Sequence, residues 1–184
     1  PLNPLDIANG RVCIVDASHH HLGDSLMKAP FAQALMNAGA EQVSALARFG
    51  FAYEALPKVE SIQWEKASPS LADTSLLKRM SLNQLSREEE EVLFSDFMSY
   101  FDHQRPYDFY FTIPASPFLT KVILAQAKRS RARAILMLKD SLMGDSKFVQ
   151  VDFRGYERQT NLIQMPHWVD DGVYVKNKDA RRAM

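Results

Sequence analysis

Two kinds of segment alternate along this chain, and that alternation constrains the fold more than any other feature. Short apolar, β-prone runs are separated by longer stretches in which apolar residues recur at helical spacing. This pattern is typical of α/β proteins, in which helices connect parallel strands and cover both faces of the sheet. The sequence therefore predicts a three-layer, Rossmann-like α/β domain with a mostly parallel sheet of about five or six strands. The predicted strands are 11–16, 42–47, 59–64, 107–113 and 132–138.

The clearest helix runs from Ser86 to about His103. Ser86 and Glu89 have the spacing of a capping box, and glutamates 88–91 lie in the first turns, where the helix dipole favours negative charge. Its predicted buried face consists of Val92, Leu93, Phe94, Phe97, Met98 and Phe101. Other helices are predicted at 24–38, 75–85, 117–128 and 156–165, a polar loop at 65–75, and a last strand at 148–153.

The composition carries no bulk charge, because the chain has 22 basic and 22 acidic residues. No overall field therefore favours a nucleic-acid partner, and none is expected. The single cysteine, Cys13, lies in the first strand, which predicts a buried structural thiol and no internal disulfide. No apolar run reaches the roughly 18–20 residues that span a bilayer. We expect a cytoplasmic protein, and peripheral contact with a membrane stays open.

The domain boundaries follow from the same alternation of strands and helices. Residues 1–10 are predicted to be an irregular lead-in, 11–165 the Rossmann-like domain, and 166–184 a polar tail or linker.

The turn after the first strand contains the strongest candidates for a functional site. In α/β proteins, ligands bind outside the carboxyl ends of the strands, where the first N–H groups of a helix are free. Here the predicted helix begins at Gly23-Asp24-Ser25. Asp24 is therefore either a helix cap or a reactive carboxylate. The apolar face of this helix is predicted from Leu26, Met27, Phe31, Ala34, Leu35 and Ala38.

Two further groups of residues have both a purely structural and a functional interpretation. His19, His20 and His21 are adjacent, so they cannot all converge on one metal ion from a regular strand, and no metal site is expected. They form either a solvated turn or donors for a phosphate or carboxylate. A basic cluster consists of Lys128, Arg129, Arg131 and Arg133. It is either a solvated helix end or a contact for an anionic ligand or lipid headgroups.

Five segments match a known family in order along residues 11–165. They are Leu22-Gly23-Asp24 followed by Leu26 and Pro30; Gly50-Phe51-Ala52 after the second strand; Val59–Ile62; Arg105-Pro106-Tyr107-Asp108 at the start of the fourth strand; and the basic segment Lys128–Arg133. In this order they resemble the amino-terminal half of the ADP-heptose:lipopolysaccharide heptosyltransferases.

The resemblance implies the acceptor-binding half of a two-domain GT-B glycosyltransferase. Asp24 would be the catalytic general base, and Ser18, His19, His20, His21, Gly23 and Ser25 would bind the substrate. The implied partners are an anionic glycan or glycolipid acceptor and a donor-binding domain or partner chain. A nucleotide sugar is the expected co-substrate, with no other cofactor.

The chain also departs from the family pattern. The turn 17–22 is about two residues longer, Thr112 replaces a common aspartate, and 184 residues hold only one half of such an enzyme. These departures favour an alternative, a stand-alone Rossmann-like binding or assembly subunit without catalytic activity. That alternative predicts an exposed apolar patch covered by a partner. A third hypothesis is a small hydrolase that uses the histidines with Asp16 or Asp24.

Overall fold

The sheet is built from six strands, all parallel to their neighbours. The structure is a computed structural model that describes residues 7–16, 22–112, 116–138 and 160–164. The strands are β1 (Arg11–Asp16), β2 (Gln42–Ala47), β3 (Val59–Gln63), β4 (Phe109–Thr112), β5 (Arg133–Leu138) and β6 (Thr160–Gln164). Their order in the sheet is β3-β2-β1-β4-β5-β6. In this doubly wound order the direction of winding reverses between β1 and β4, at the topological switch point.

Helices cover both faces of this sheet, which confirms the predicted three-layer α/β fold. The helices are α1 (Leu22–Asn37), α2 (Phe51–Glu54), α3 (Trp64–Ala67), α4 (Thr74–Ser81), α5 (Arg87–Asp102) and α6 (Pro117–Ser130), with a 3-10 helix at Pro69–Ala72. Buried residues of α1 and α2 form one core with the sheet, and those of α3 to α6 form the other.

Alternate residues of β1 point into these two cores. Cys13 and Val15 pack with the side of the sheet that carries α5 and α6, whereas Val12 and Ile14 pack with the side that carries α1. All six residues of β1 are buried. Because both faces are covered, a central parallel strand is apolar along its whole length and shows no alternation. This explains why the run at 12–15 predicts the strand so well.

Two predicted elements are wrong. The supposed loop at 65–75 contains α3, the 3-10 helix and the start of α4. Packing outweighs its polar composition, because Trp64 and Leu71 are fully buried and the Trp64 indole N–H donates to the carbonyl of Leu46 at 3.2 Å. The helix predicted at 156–165 is also wrong, since Thr160–Gln164 pairs with β5 as a parallel strand. The strand predicted at 148–153 falls outside the described residues.

The start of α5 has the predicted capping box. The Ser86 hydroxyl accepts from the backbone N–H of Glu89 at 3.2 Å, and the Glu89 carboxylate accepts from the N–H of Ser86 at 2.8 Å. The Arg79 guanidinium, together with that Ser86 N–H, lowers the pKa of Glu89. One residue of the predicted buried face is exposed, because Val92 lies on the outer side of the helix with 53% of its surface accessible.

We expect Ser86→Ala to lower the free energy of unfolding by about 1 kcal/mol, because it removes the acceptor for a helix N-terminal N–H. Urea denaturation measures this difference. Ser95→Ala is the matched control, since Ser95 is an exposed serine in the middle of the same helix. Its effect should stay within about 0.5 kcal/mol. Equal effects of the two substitutions would contradict the role of the cap.

Cys13 is fully buried, and burial raises the pKa of its thiol well above the ordinary value. The thiolate that reacts with disulfide reagents is therefore scarce and shielded in the folded protein. We expect a thiol reagent to modify Cys13 only as fast as the protein unfolds, and at the rate of a free thiol in urea. Rapid modification of the folded protein would show that this part of the core opens locally.

Candidate functional site

A buried ion pair lies at the carboxyl end of β1, next to the switch point. Asp16 is the last residue of β1, and its side chain is wholly inaccessible to solvent. The ammonium group of Lys28, on α1, donates to Asp16 Oδ1. The hydroxyl of Tyr53, on α2, donates to Asp16 Oδ2 at 3.0 Å. We call these three residues the Asp16 cluster. It joins one strand and two helices at a single carboxylate.

Because both charges are buried, forming this cluster costs desolvation free energy, and removing one partner costs more. Removing an ion pair from water costs several kcal/mol per ion, and only close geometry with further hydrogen bonds offsets that cost. Here both carboxylate oxygens of Asp16 have a donor. Burial, and then the negative charge of Asp16, raises the pKa of Tyr53 far above neutral pH. Tyr53 therefore remains protonated and keeps its role as a donor.

On β4, the neighbouring strand, the carboxyl end carries hydroxyl groups. The Thr112 hydroxyl donates to the carbonyl of Val15 at 2.9 Å and so ties the ends of β1 and β4 together. Ser116 caps α6, accepting at its hydroxyl from the N–H of Leu119 at 3.3 Å. Because α1 follows β1 and α6 follows β4, both helices begin at this edge of the sheet. Helix N-termini at a switch point favour ligands with negative charge or hydroxyl oxygens.

Ser25 adds a polar atom to the same place. It is fully buried on α1, and its hydroxyl has no hydrogen-bond partner among the residues that the structure describes. A buried hydroxyl without a partner costs about 1–3 kcal/mol. The Ser25 hydroxyl can therefore form a hydrogen bond to a group that lies outside these residues. Ser25 was predicted to bind substrate, and that role stays a prediction.

The other predicted site residues are described less fully. Gly23 and Asp24 belong to the first helical turn of α1, so the helix begins close to where it was predicted. Residues Ser18, His19, His20 and His21 lie outside the described residues altogether. The roles of these six residues remain predictions.

The inner face of α1 differs from the predicted one. Leu26 was assigned to the buried face, but 51% of its surface is accessible. Leu35 is buried as predicted, and Phe31 packs partly buried against the same core. The other buried residues on this face were not predicted there: Ser25, Lys28, Ala29 and Ala32. Helical spacing assigns apolar residues to a buried face, so it did not identify the polar residues Ser25 and Lys28 as facing inward. Neither Lys28 nor Tyr53 was predicted as a site residue, and no sequence motif marks them.

The predicted basic cluster lies at the opposite edge of the sheet. Arg133 begins β5, and Arg131 ends α6 in a left-handed conformation with φ of 57°. Arg129 forms an ion pair with Asp102. Strands of four to six residues separate this edge from the Asp16 cluster by roughly 13–20 Å. One small anion therefore cannot contact both.

The Tyr-Asp segment that contributed to the resemblance is structural in this chain. The Asp108 carboxylate accepts from the backbone N–H of Arg11 at 2.8 Å. The Arg11 guanidinium donates to the carbonyls of Arg105 and Pro106 and lies 4.8 Å from the centre of the Tyr107 ring. These contacts fix the start of β4 beside the start of β1, at the edge away from the Asp16 cluster.

We expect Lys28→Met to lower the free energy of unfolding by about 3–5 kcal/mol, because it leaves the Asp16 carboxylate buried without its counter-charge. The double variant Asp16→Asn/Lys28→Met should regain most of that loss, since no charge is then buried. Urea denaturation of both variants gives the comparison. If the double variant were as unstable as Lys28→Met, the ion pair would not be the source of the effect.

The comparisons with known proteins add no assignment to this geometry. No protein-family model matches the sequence, and no curated protein is significantly similar to it. Within the described ranges, no three His, Cys, Asp or Glu side chains are grouped so that they could hold a metal ion. None of the helices in that part of the chain is long and apolar enough to cross a membrane.

Proposed function

We propose that this chain is the acceptor-binding half of a glycosyltransferase resembling the heptosyltransferases. It would transfer a sugar from a nucleotide-sugar donor to lipopolysaccharide or a related anionic glycan acceptor, in the cytoplasm and in peripheral contact with the inner membrane. A donor-binding domain or partner chain would complete the enzyme. One observation carries the proposal: the helix that begins with Gly23-Asp24-Ser25 starts at the carboxyl end of β1, beside the switch point.

Position 24 suits a general base. It lies in the first turn of a 16-residue helix, where the dipole and free N–H groups favour the ionised form of a carboxylate. In the proposed reaction the acceptor hydroxyl attacks the anomeric carbon of the donor sugar. The bond from that carbon to the nucleotide diphosphate breaks, and the hydroxyl proton passes to the Asp24 carboxylate. The products are the extended glycan and the free nucleotide diphosphate.

Asp16 is unsuited to the same task. Its side chain is inaccessible, and both of its oxygens accept hydrogen bonds from Lys28 and Tyr53. A general base must come within hydrogen-bond reach of the proton that it removes. The Asp16 cluster therefore supports the site by holding α1 against the end of β1. This reasoning also weakens the hydrolase hypothesis in the form that uses Asp16.

A second candidate function, a binding or assembly subunit without catalysis, is favoured by two exposed apolar side chains. Leu26 on α1 is 51% accessible and Phe51 on α2 is 53% accessible. The two helices are in contact, and each begins after the carboxyl end of a strand, so both residues lie near the edge that carries the Asp16 cluster. Exposed apolar side chains at such an edge fit a surface that a second domain or chain covers.

The proposal is tested by supplying the donor-binding half, as the longer chain or a partner chain, with ADP-heptose and an acceptor glycan. We expect Asp24→Asn to lower the rate of sugar transfer by about 10²–10⁴-fold, the usual effect of removing a general base. Acceptor binding, measured by calorimetry, should change far less. The matched control is Glu54→Gln, an exposed carboxylate on α2, which should transfer sugar at the wild-type rate.

Equal transfer by wild type and Asp24→Asn would overturn the catalytic role of Asp24. If the chain binds the acceptor but no sugar is transferred with either form of the donor-binding half, the result would favour the binding subunit instead.

A further inference from the structure

The outer surface of α5 and α6 carries a groove that the proposed function does not use. The groove has a volume of about 740 Å³, and Phe94 and Met98 supply its apolar part. The Lys121 ammonium lies 5.9 Å from the centre of the Phe94 ring. Ser95 also lines the groove and lies at the middle of α5. We call this surface the α5–α6 face.

Two ion pairs show that α5 and α6 run in the same direction. Lys121 near the start of α6 pairs with Glu90 near the start of α5, with 3.2 Å between Nζ and Oε2. Arg129 near the end of α6 pairs with Asp102 at the end of α5. The two helix starts therefore lie at one end of the face, and the two helix ends lie at the other.

The two ends of the face carry opposite charge. The end with the helix starts has three carboxylates on α5, from Glu88, Glu90 and Glu91, against the two cations of Arg87 and Lys121. The end with the helix ends has three cations at the close of α6, from Lys128, Arg129 and Arg131, against the carboxylate of Asp102. Each sign is also the one that the adjacent helix dipoles favour. The face is thus a dipolar surface with an apolar centre.

We propose that the α5–α6 face binds a second copy of this chain across a twofold axis. In a twofold contact the same surface of both copies is used, so the surface must be complementary to itself. An axis that lies in the face and crosses the groove between the two ends carries the acidic end of the face onto the basic end of the second copy's face. The reciprocal contact forms at the same time, and the apolar centres meet on the axis.

Charge complementarity is what selects a second copy as the occupant. A nucleic acid or an anionic membrane would be attracted by one end of the face and repelled by the other. A copy of the same face, turned by 180°, matches both ends. The proposal does not rest on the proposed transferase, because none of the residues that argue for it belongs to the Asp16 cluster or to the first turn of α1.

Sedimentation equilibrium of the full chain tests the association. We expect a reversible dimer at low ionic strength that weakens as salt is added, because surface charge pairs are screened. Glu88→Lys/Glu91→Lys and Lys128→Glu/Arg131→Glu should each weaken the dimer by about tenfold or more. A one-to-one mixture of the two variants should form a heterodimer, since both contacts then pair opposite charges again.

The matched control for net charge is Glu41→Lys/Glu54→Lys. Like the first variant it changes two exposed glutamates and breaks one surface ion pair, here Glu41 with Arg105, but it lies away from the α5–α6 face. It should dimerise like the wild type and should not pair with Lys128→Glu/Arg131→Glu more tightly than the wild type does.

A cysteine at the centre of the face locates the contact directly. Cys13 is buried and is the only native cysteine, so Ser95→Cys introduces the one accessible thiol. Mild oxidation should link two copies of Ser95→Cys, and should not link Glu54→Cys on α2. A protein that stays monomeric at every concentration in low salt would overturn the proposal. So would a dimer that survives both charge reversals or gives no Ser95→Cys cross-link.

Discussion

The rest of the candidate site depends on the buried carboxylate of Asp16. Its two oxygens are held by Lys28 from α1 and Tyr53 from α2, so the position of both helices is fixed relative to the end of β1. A buried ion pair restrains the elements that carry it, because any movement that separates the two charges raises the free energy of both. Lys28 lies one helical turn after position 24. The first turn of α1 is therefore anchored close to the residue for which a reaction is proposed.

Most of the fold could be predicted because its determinants are local. The predicted strands at 11–16 and 42–47 have the observed limits, and the capping box of Ser86 and Glu89 is present. The two errors have the opposite origin. Residues 65–75 are helical because Trp64 and Leu71 reach the core, and residues 160–164 are a strand because β5 offers an unpaired edge. Pairing and burial decide these segments, and neither can be read from a short window of sequence.

The sequence predicted the location of the candidate site and drew attention to Ser25 and Asp16, but it did not predict Lys28 or Tyr53. A turn from an apolar strand into a helix points to the carboxyl edge of a sheet, and the sheet order places that edge at the switch point. Lys28 was not predicted as a site residue, because it occupies an inward position on α1 where periodicity expects an apolar side chain. Leu26 and Phe51 face outward at the same edge. Local rules of this kind are broken most often where a surface has a task besides stability.

The pairing of Asp16 also decides which acidic group at this edge is available for chemistry. A carboxylate with a cation on one oxygen and a phenol on the other has its negative charge already satisfied, so a proton would have to displace one of those donors. Moving the Lys28 proton to Asp16 would leave a neutral carboxylic acid and a neutral amine in place of the ion pair, and would take no proton from the acceptor hydroxyl. Position 24 lies in the first turn of α1, where the helix N–H groups favour the charged form of a carboxylate. The cost of disturbing the Asp16 cluster is thus the physical reason why the proposed proton transfer is placed at position 24 and Asp16 is given a supporting role.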